Sequence, residues 1–135
     1  MALITWDDTL SVNVAEIDQQ HRELIAMINE LNSAMKMGKG KDALGGIVNR
    51  LISYATTHFQ TEENYFAQFG YPDTEDHKKE HVAFVQKVSS FKEGFEKREL
   101  SLTIDVMSFL SDWLKNHIMG TDKKYTRFFN EMGLK

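Results

Sequence analysis

The chain contains no cysteine and one proline, Pro72. Without thiols there are no disulfides, no thiolate zinc sites and no cysteine-ligated iron–sulfur clusters, so any metal must be held by nitrogen and oxygen. Scarce proline, with glycine gathered in stretches such as Gly38-Lys39-Gly40 and Gly70-Tyr71-Pro72, suits long helices better than a sandwich of short strands. No apolar run reaches membrane length, and the segment from Met1 to Asp8 lacks a positive stretch followed by an apolar one, so neither membrane insertion nor export is expected and the expected location is the cytoplasm. The formal charge of −4 arises from interspersed signs, which leaves no basic face for nucleic acid and no polybasic patch for lipid. At 135 residues the expectation is a single domain, 1–135, built on one substantial core.

What is present is apolar periodicity with helical spacing. After an irregular N-terminal arm carrying Trp6 and Leu10, a first helix is expected to start between Asn13, which pairs with Glu16 as a capping box, and Asp18, an alternative cap. Its stripe is Ile17, Leu24, Ile25, Ile28, Leu31 and Met35, and it ends near Gly38-Lys39-Gly40. A second helix is predicted from about Asp42 to Phe69, with Leu44, Val48, Leu51, Ala55, Phe59, Phe66 and Phe69 inward, stopped by Gly70 and Pro72. Asp73 or Thr74 would cap a third helix with Phe84, Val85, Val88 and Phe95 inward, leaving through an exposed Lys97-Arg98-Glu99. Ser101 or Thr103 would cap a fourth, with Ile104, Met107, Leu110, Leu114 and Ile118 inward, and Tyr125, Phe128, Phe129 and Met132 suit a short C-terminal helix. The predicted class is all-α: an antiparallel up-down-up-down four-helix bundle.

The stripes are interrupted by polar residues. His58 and Glu62, four residues apart, share one face of the second helix. His21 falls on the first stripe, His77 and His81 on the third, and His117 on the fourth. A single inward histidine is more often a satisfied core residue than a ligand. Here all five histidines of the chain fall on stripes that each cover about a third of a helix, and antiparallel packing brings them to one end of the bundle, which argues against chance. Asp122 follows His117 by five residues and would lie about 140° around a regular α-helix; a π-type turn or a break near Gly120 would restore the alignment. Zinc with three or four histidines leaves two buried carboxylates surplus. Two metal ions bridged by Glu62 and Asp122 use all seven groups, and imidazole suits iron, copper, nickel or zinc. Glu63, Glu80 and Asp76 are expected off the stripe, at the surface, and Tyr54 and Tyr65, which flank the inner face, are expected to pack in the core or at its rim rather than to partner a ligand.

His21 within Ile17-Asp18-Gln19-Gln20-His21, the run His58-Phe59-Gln60-Thr61-Glu62-Glu63, His77-Lys78-Lys79-Glu80-His81, and His117-Ile118-Met119-Gly120-Thr121-Asp122 together resemble the ligand signature of the hemerythrins, specifically the bacterial single-domain ones. The match runs from Trp6 and Ser11-Val12-Asn13-Val14 to the C-terminal helix without departure at a ligand position. The resemblance implies a non-haem site of two iron ions, ferrous or ferric, with an oxo or hydroxo bridge. It also implies that His77, His81 and His117 hold one ion, His21 and His58 the other, and Glu62 and Asp122 both. The two-histidine ion would keep a position for dioxygen. Leu24, Phe59, Trp113, Leu114 and Ile118 match the positions that wall the family's oxygen pocket; read from the residues alone, they serve equally as core.

The expected function is reversible dioxygen binding for storage, transport or delivery to an oxygen-consuming enzyme, by a protein that is not itself an enzyme beyond weak oxidase or peroxidase side activity. The bacterial relatives suggest a monomer. The alternatives are a di-iron oxidase, peroxidase or nitric-oxide-handling enzyme, and an iron or oxygen sensor or store. Oxidative di-iron bundles typically use two Glu-x-x-His motifs, and this sequence has none.

Overall fold

A computed structural model describes residues 4–97 and 102–135. The exposed exit expected at Arg98 and Glu99 and the cap expected at Ser101 lie outside these residues. Helix α1 spans Ala15–Lys36, α2 Gly40–Phe69, α3 Thr74–Glu96 and α4 Leu102–Trp113; a π-helix, Leu114–Thr121, continues α4, followed by a 3-10 turn, Asp122–Tyr125, and α5, Thr126–Glu131. Helix α1 packs on α2, α2 on α3, and α4 closes the bundle against α1 and α3. This is the predicted four-helix architecture, and of the two ways expected to align His117 with Asp122, a π turn or a break near Gly120, the chain takes the π turn. No helix among the described residues is long and apolar enough to cross a membrane.

The helix N-termini are capped differently from the sequence reading, whereas α2 stops at Phe69 and Gly70 as predicted. Val14, not Asn13, occupies the cap position of α1 and makes no side-chain cap. Asn13 takes a left-handed φ of 56°, a conformation asparagine tolerates. The Asp18 carboxylate turns back to accept from the Ser11 hydroxyl and the Val12 N–H, tying the arm to the helix. Asp73 precedes α3 without a side-chain cap, and the Thr74 hydroxyl donates to the Tyr71 carbonyl. Thr103 lies inside the first turn of α4 rather than before it. Gly70 ends α2 with φ 68°, where a side chain would be strained.

The main core holds Leu24, Ile28, Leu31, Leu51, Phe84, Leu110 and Ile118 among others. Three expected members lie outside: Val85 is 46% exposed, Phe95 40% and Ile104 61%. Phe91, Met27 and Val106 are buried instead. Val85 follows Phe84 by one residue and so turns about 100° off the stripe that continues through Val88 and Phe91; Phe95, near the end of α3, lays its ring over Gly45 of α2, where a Cβ would come within 2.8 Å of it, and stays partly exposed. A second apolar cluster caps one end: Val12 and Val14 of the arm, Ile17, Phe66, Tyr71, Tyr125 and Phe129. The expected C-terminal helix supplies Phe129, while Met132 is half exposed. All seven predicted polar site residues are buried, in a layer between the two clusters.

Candidate metal centre

Each helix delivers its polar residues for a local reason. In α2 the four-residue step places His58 and Glu62 on one face, with Nε2 3.2 Å from Oε1. In α3 the same step brings the rings of His77 and His81 to 4.6 Å. The π-helix rotates Asp122 into register with His117, whose Nε2 lies 2.9 Å from Oδ1. Antiparallel packing sets the His21 ring 4.8 Å from His58 and His77 4.8 Å from His117.

The donor atoms converge as two overlapping sets: Glu62, His77, His81, His117 and Asp122 in one, and His21, His58, Glu62 and Asp122 in the other. Glu62 Oε1 faces His81 Nε2 at 3.0 Å in addition to His58. Asp122 presents Oδ1 to His77 at 2.9 Å and Oδ2 to His21 at 3.1 Å. Despite this proximity, the five Nε2 atoms, Glu62 Oε1 and both Asp122 oxygens are buried without a hydrogen-bond partner among the described residues. They point at common positions rather than at one another. Buried polar atoms normally find partners, and a ring of orphaned lone pairs from imidazole and carboxylate is the donor set of a metal ion. The residues therefore fit a dinuclear centre.

The outward side of each ring shows what the sequence reading missed. Glu63 and Glu80, expected at the surface, are half-buried and accept from the rings: His81 Nδ1 lies 3.0 Å from Glu63 Oε2 and His117 Nδ1 2.8 Å from Glu80 Oε1. Gln20 Oε1 lies 2.6 Å from His58 Nδ1. The Gln20 amide is oriented by its own donation to Thr61 Oγ1 at 3.0 Å, and Thr61 donates onward to the Thr57 carbonyl. With Nδ1–H used in this way, Nε2 is left as a free lone pair on each of these rings. Tyr125, expected only as a capping aromatic, donates its buried hydroxyl to Glu62 Oε2. Tyr54 packs as expected, its ring stacked on His58 at 5.1 Å, and the Tyr65 hydroxyl donates to Glu16. The acidic residues one step from a ligand, at 63 and at 80, were the available signal, since a ligating histidine almost always donates its second N–H.

Electrostatics balances the site when no metal is bound. Burial alone would push His77 down, but Asp122 and Glu62 beside it outweigh burial and raise it to about 10; the same carboxylates raise His117. Burial lowers His58. Burial opposes ionisation of Glu62, yet the imidazoles of His58, His77 and His81 hold it well below the carboxylate range. Since a metal needs the neutral imidazole, loading must expel protons. Divalent metal added to the metal-free protein in weakly buffered solution near neutral pH is expected to acidify it, read by an indicator dye; loading without proton release would show that His77 is already neutral. The raised His77 also contributes stability to the metal-free fold. That contribution is fully present below its unfolded value of about 6.5 and lost as pH rises through about 10. The depressed Glu62 acts oppositely, stabilising above its unfolded value and losing this as pH falls. Thermal melts in chelator are therefore expected to decline at both alkaline and acid pH.

An all-helical bundle whose buried layer is two histidine-rich donor sets sharing two carboxylates defines the class of histidine–carboxylate metal-binding bundles. The sequence profile described as Hemerythrin HHE cation binding domain matches residues 12–129. The chain belongs to the hemerythrin family. It is 35% identical over 125 residues to the bacteriohemerythrin of Stenotrophomonas maltophilia, covering 93% of this chain and 80% of that one. The bacteriohemerythrin of Methylococcus capsulatus is 34% identical over 126 residues, 93% of this chain and 95% of that one. The crystal structure of a wild-type hemerythrin aligns with a TM-score of 0.83 at 33% identity, over 93% of this chain and 97% of that chain.

Proposed function

We propose that this chain is a reversible dioxygen carrier, working in the cytoplasm as a monomer, with two iron ions in the buried layer. His77, His81 and His117 would hold one ion and His21 and His58 the other, with Glu62 and Asp122 shared. When bound, the iron pair supplies reducing equivalents to dioxygen and takes them back on release. The observation that carries this reading is the pair of donor sets meeting at two carboxylates, with fewer protein groups in the His21–His58 set than in the other. A site short of protein ligands keeps room for a small molecule.

The chain's part is to keep that space dry. Leu24, Phe59, Trp113, Leu114 and Ile118 are all buried in the main core. Phe59 stacks on His81 at 3.8 Å and Trp113 on His117 at 3.9 Å, so these two rings also brace imidazoles of the three-histidine set. An apolar wall limits access of water and protons, which favours release of the gas over irreversible electron loss. An oxidase, peroxidase or nitric-oxide-handling enzyme is the second reading.

The two are separated by adding oxygen to reduced, iron-loaded protein, removing the gas, and counting iron per chain. A visible charge-transfer band that appears and then vanishes, with two irons retained, supports carriage. Direct conversion to the oxidised form without that band defeats it. Leu114→Ala is expected to keep its iron but lose the oxygenated form about tenfold faster, as expected when the hydrophobic shell that controls solvent access is thinned. An unchanged oxidation rate would return Leu114 to plain core packing.

A further inference from the structure

The groups behind the histidines differ between the two donor sets. In the three-histidine set, His81 is backed by the Glu63 carboxylate and His117 by the Glu80 carboxylate. Glu80 is itself fixed by the Thr121 hydroxyl, which lies 2.9 Å and 3.1 Å from its two oxygens. In the two-histidine set, His58 is backed by the neutral amide of Gln20, and His21 Nδ1 is buried with no partner among the described residues. A carboxylate accepting Nδ1–H draws the proton away from the ring and makes Nε2 the more basic donor; an amide does so weakly, and an unpartnered N–H not at all.

From this asymmetry we propose that Glu63, Glu80 and Gln20 set the order in which the two halves take and lose metal. The proposal rests on the dinuclear reading above. The half made by His77, His81 and His117 fills first and holds its ion more tightly. The half made by His21 and His58 fills second and empties first, so the protein passes through a form with one ion and both shared carboxylates already ordered. Ligand number alone would also favour the three-histidine half, but it assigns no part to residues 20, 63 and 80, and the difference is testable there.

The probe is Zn2+ alone, titrated calorimetrically into metal-free protein at fixed pH against a competing chelator, with circular dichroism confirming that each variant is folded. The wild type is expected to bind two ions in two resolved steps. Glu80→Gln and Glu63→Gln keep the shape of the side chain and remove its charge, and each should weaken the tighter step by about 10- to 100-fold while moving the weaker step less. Gln20→Glu should do the reverse, tightening the weaker step and drawing the two together. A merely structural role for these half-exposed side chains would not produce a gain of affinity.

Two ions entering wild type in a single step of equal affinity would overturn the proposal, as would loss of both steps equally in Glu80→Gln or an unmoved weaker step in Gln20→Glu. Uptake of fewer than two ions by wild type would overturn this inference and the dinuclear reading together. Ordered uptake with the expected variant pattern, in a protein whose iron-loaded form does not bind oxygen reversibly, would keep the inference and reject carriage.

Discussion

Glu62→Ala is expected to lose most of its metal. Its Oε1 faces His58 from one donor set and His81 from the other, so a single substitution removes a donor from both sets at once. It also leaves the buried Tyr125 hydroxyl without its acceptor. Loss of a partner behind a ligand typically costs roughly 10- to 100-fold in affinity, and loss of a shared ligand should exceed that. After iron loading and desalting, the variant should carry well below one iron per chain, measured by elemental analysis, while keeping its helical circular dichroism. Two irons retained per folded chain would defeat the shared-carboxylate assignment.

Phe129→Ala should be the most damaging single change in the cap. The ring is fully buried and packs on Tyr125 at 4.8 Å and on Phe66 at 5.8 Å. Truncating such a ring costs about 3–5 kcal/mol through lost burial and the cavity left behind. That is a large share of the roughly 5–15 kcal/mol stability of a typical domain. Tyr125 would also lose the neighbour that holds it under Glu62, so chelators should strip metal faster. Urea unfolding of the metal-free variant measures the first effect and the rate of metal loss the second. A stability change below about 1 kcal/mol would mean that α5 is not part of the folded unit.

The four helices and all seven buried polar residues could be read from spacing, because a helical stripe and an inward polar residue are both periodic signals. An irregularity after His117 was legible for the same reason, since the five-residue step to Asp122 does not fit a regular α-helix; that it is a π turn and not a break near Gly120 comes from the structure. The caps were not. Asp18 was a plausible cap but bonds back into the arm, a choice made by tertiary packing rather than by local sequence. Val85, Phe95 and Ile104 were placed inside because three- and four-residue steps allow more than one continuation of a stripe, and only the packing of neighbouring helices, which buries Phe91 and Val106 instead, selects among them. Glu63 and Glu80 were read as surface because their angle on their own helix points away from the layer. Each reaches the neighbouring helix instead, which a single-helix projection cannot show.

The wider turn between Leu114 and Thr121 has a consequence for how much one stretch of backbone can carry. In α2 the pair His58 and Glu62 occupies one face, and the next residue, Glu63, serves a ring on the neighbouring helix. Along the fourth helix of the bundle and its π continuation the added residue lets His117 offer its ring, Thr121 steady the carboxylate behind that same ring, and Asp122 reach the shared positions. A ligand, its brace and a common carboxylate thus come from one short run. Trimming a single residue there would regularise the helix while forcing it to give up one of the three, so an irregularity in winding is what lets the shortest of the four main helices contribute as fully as the longest.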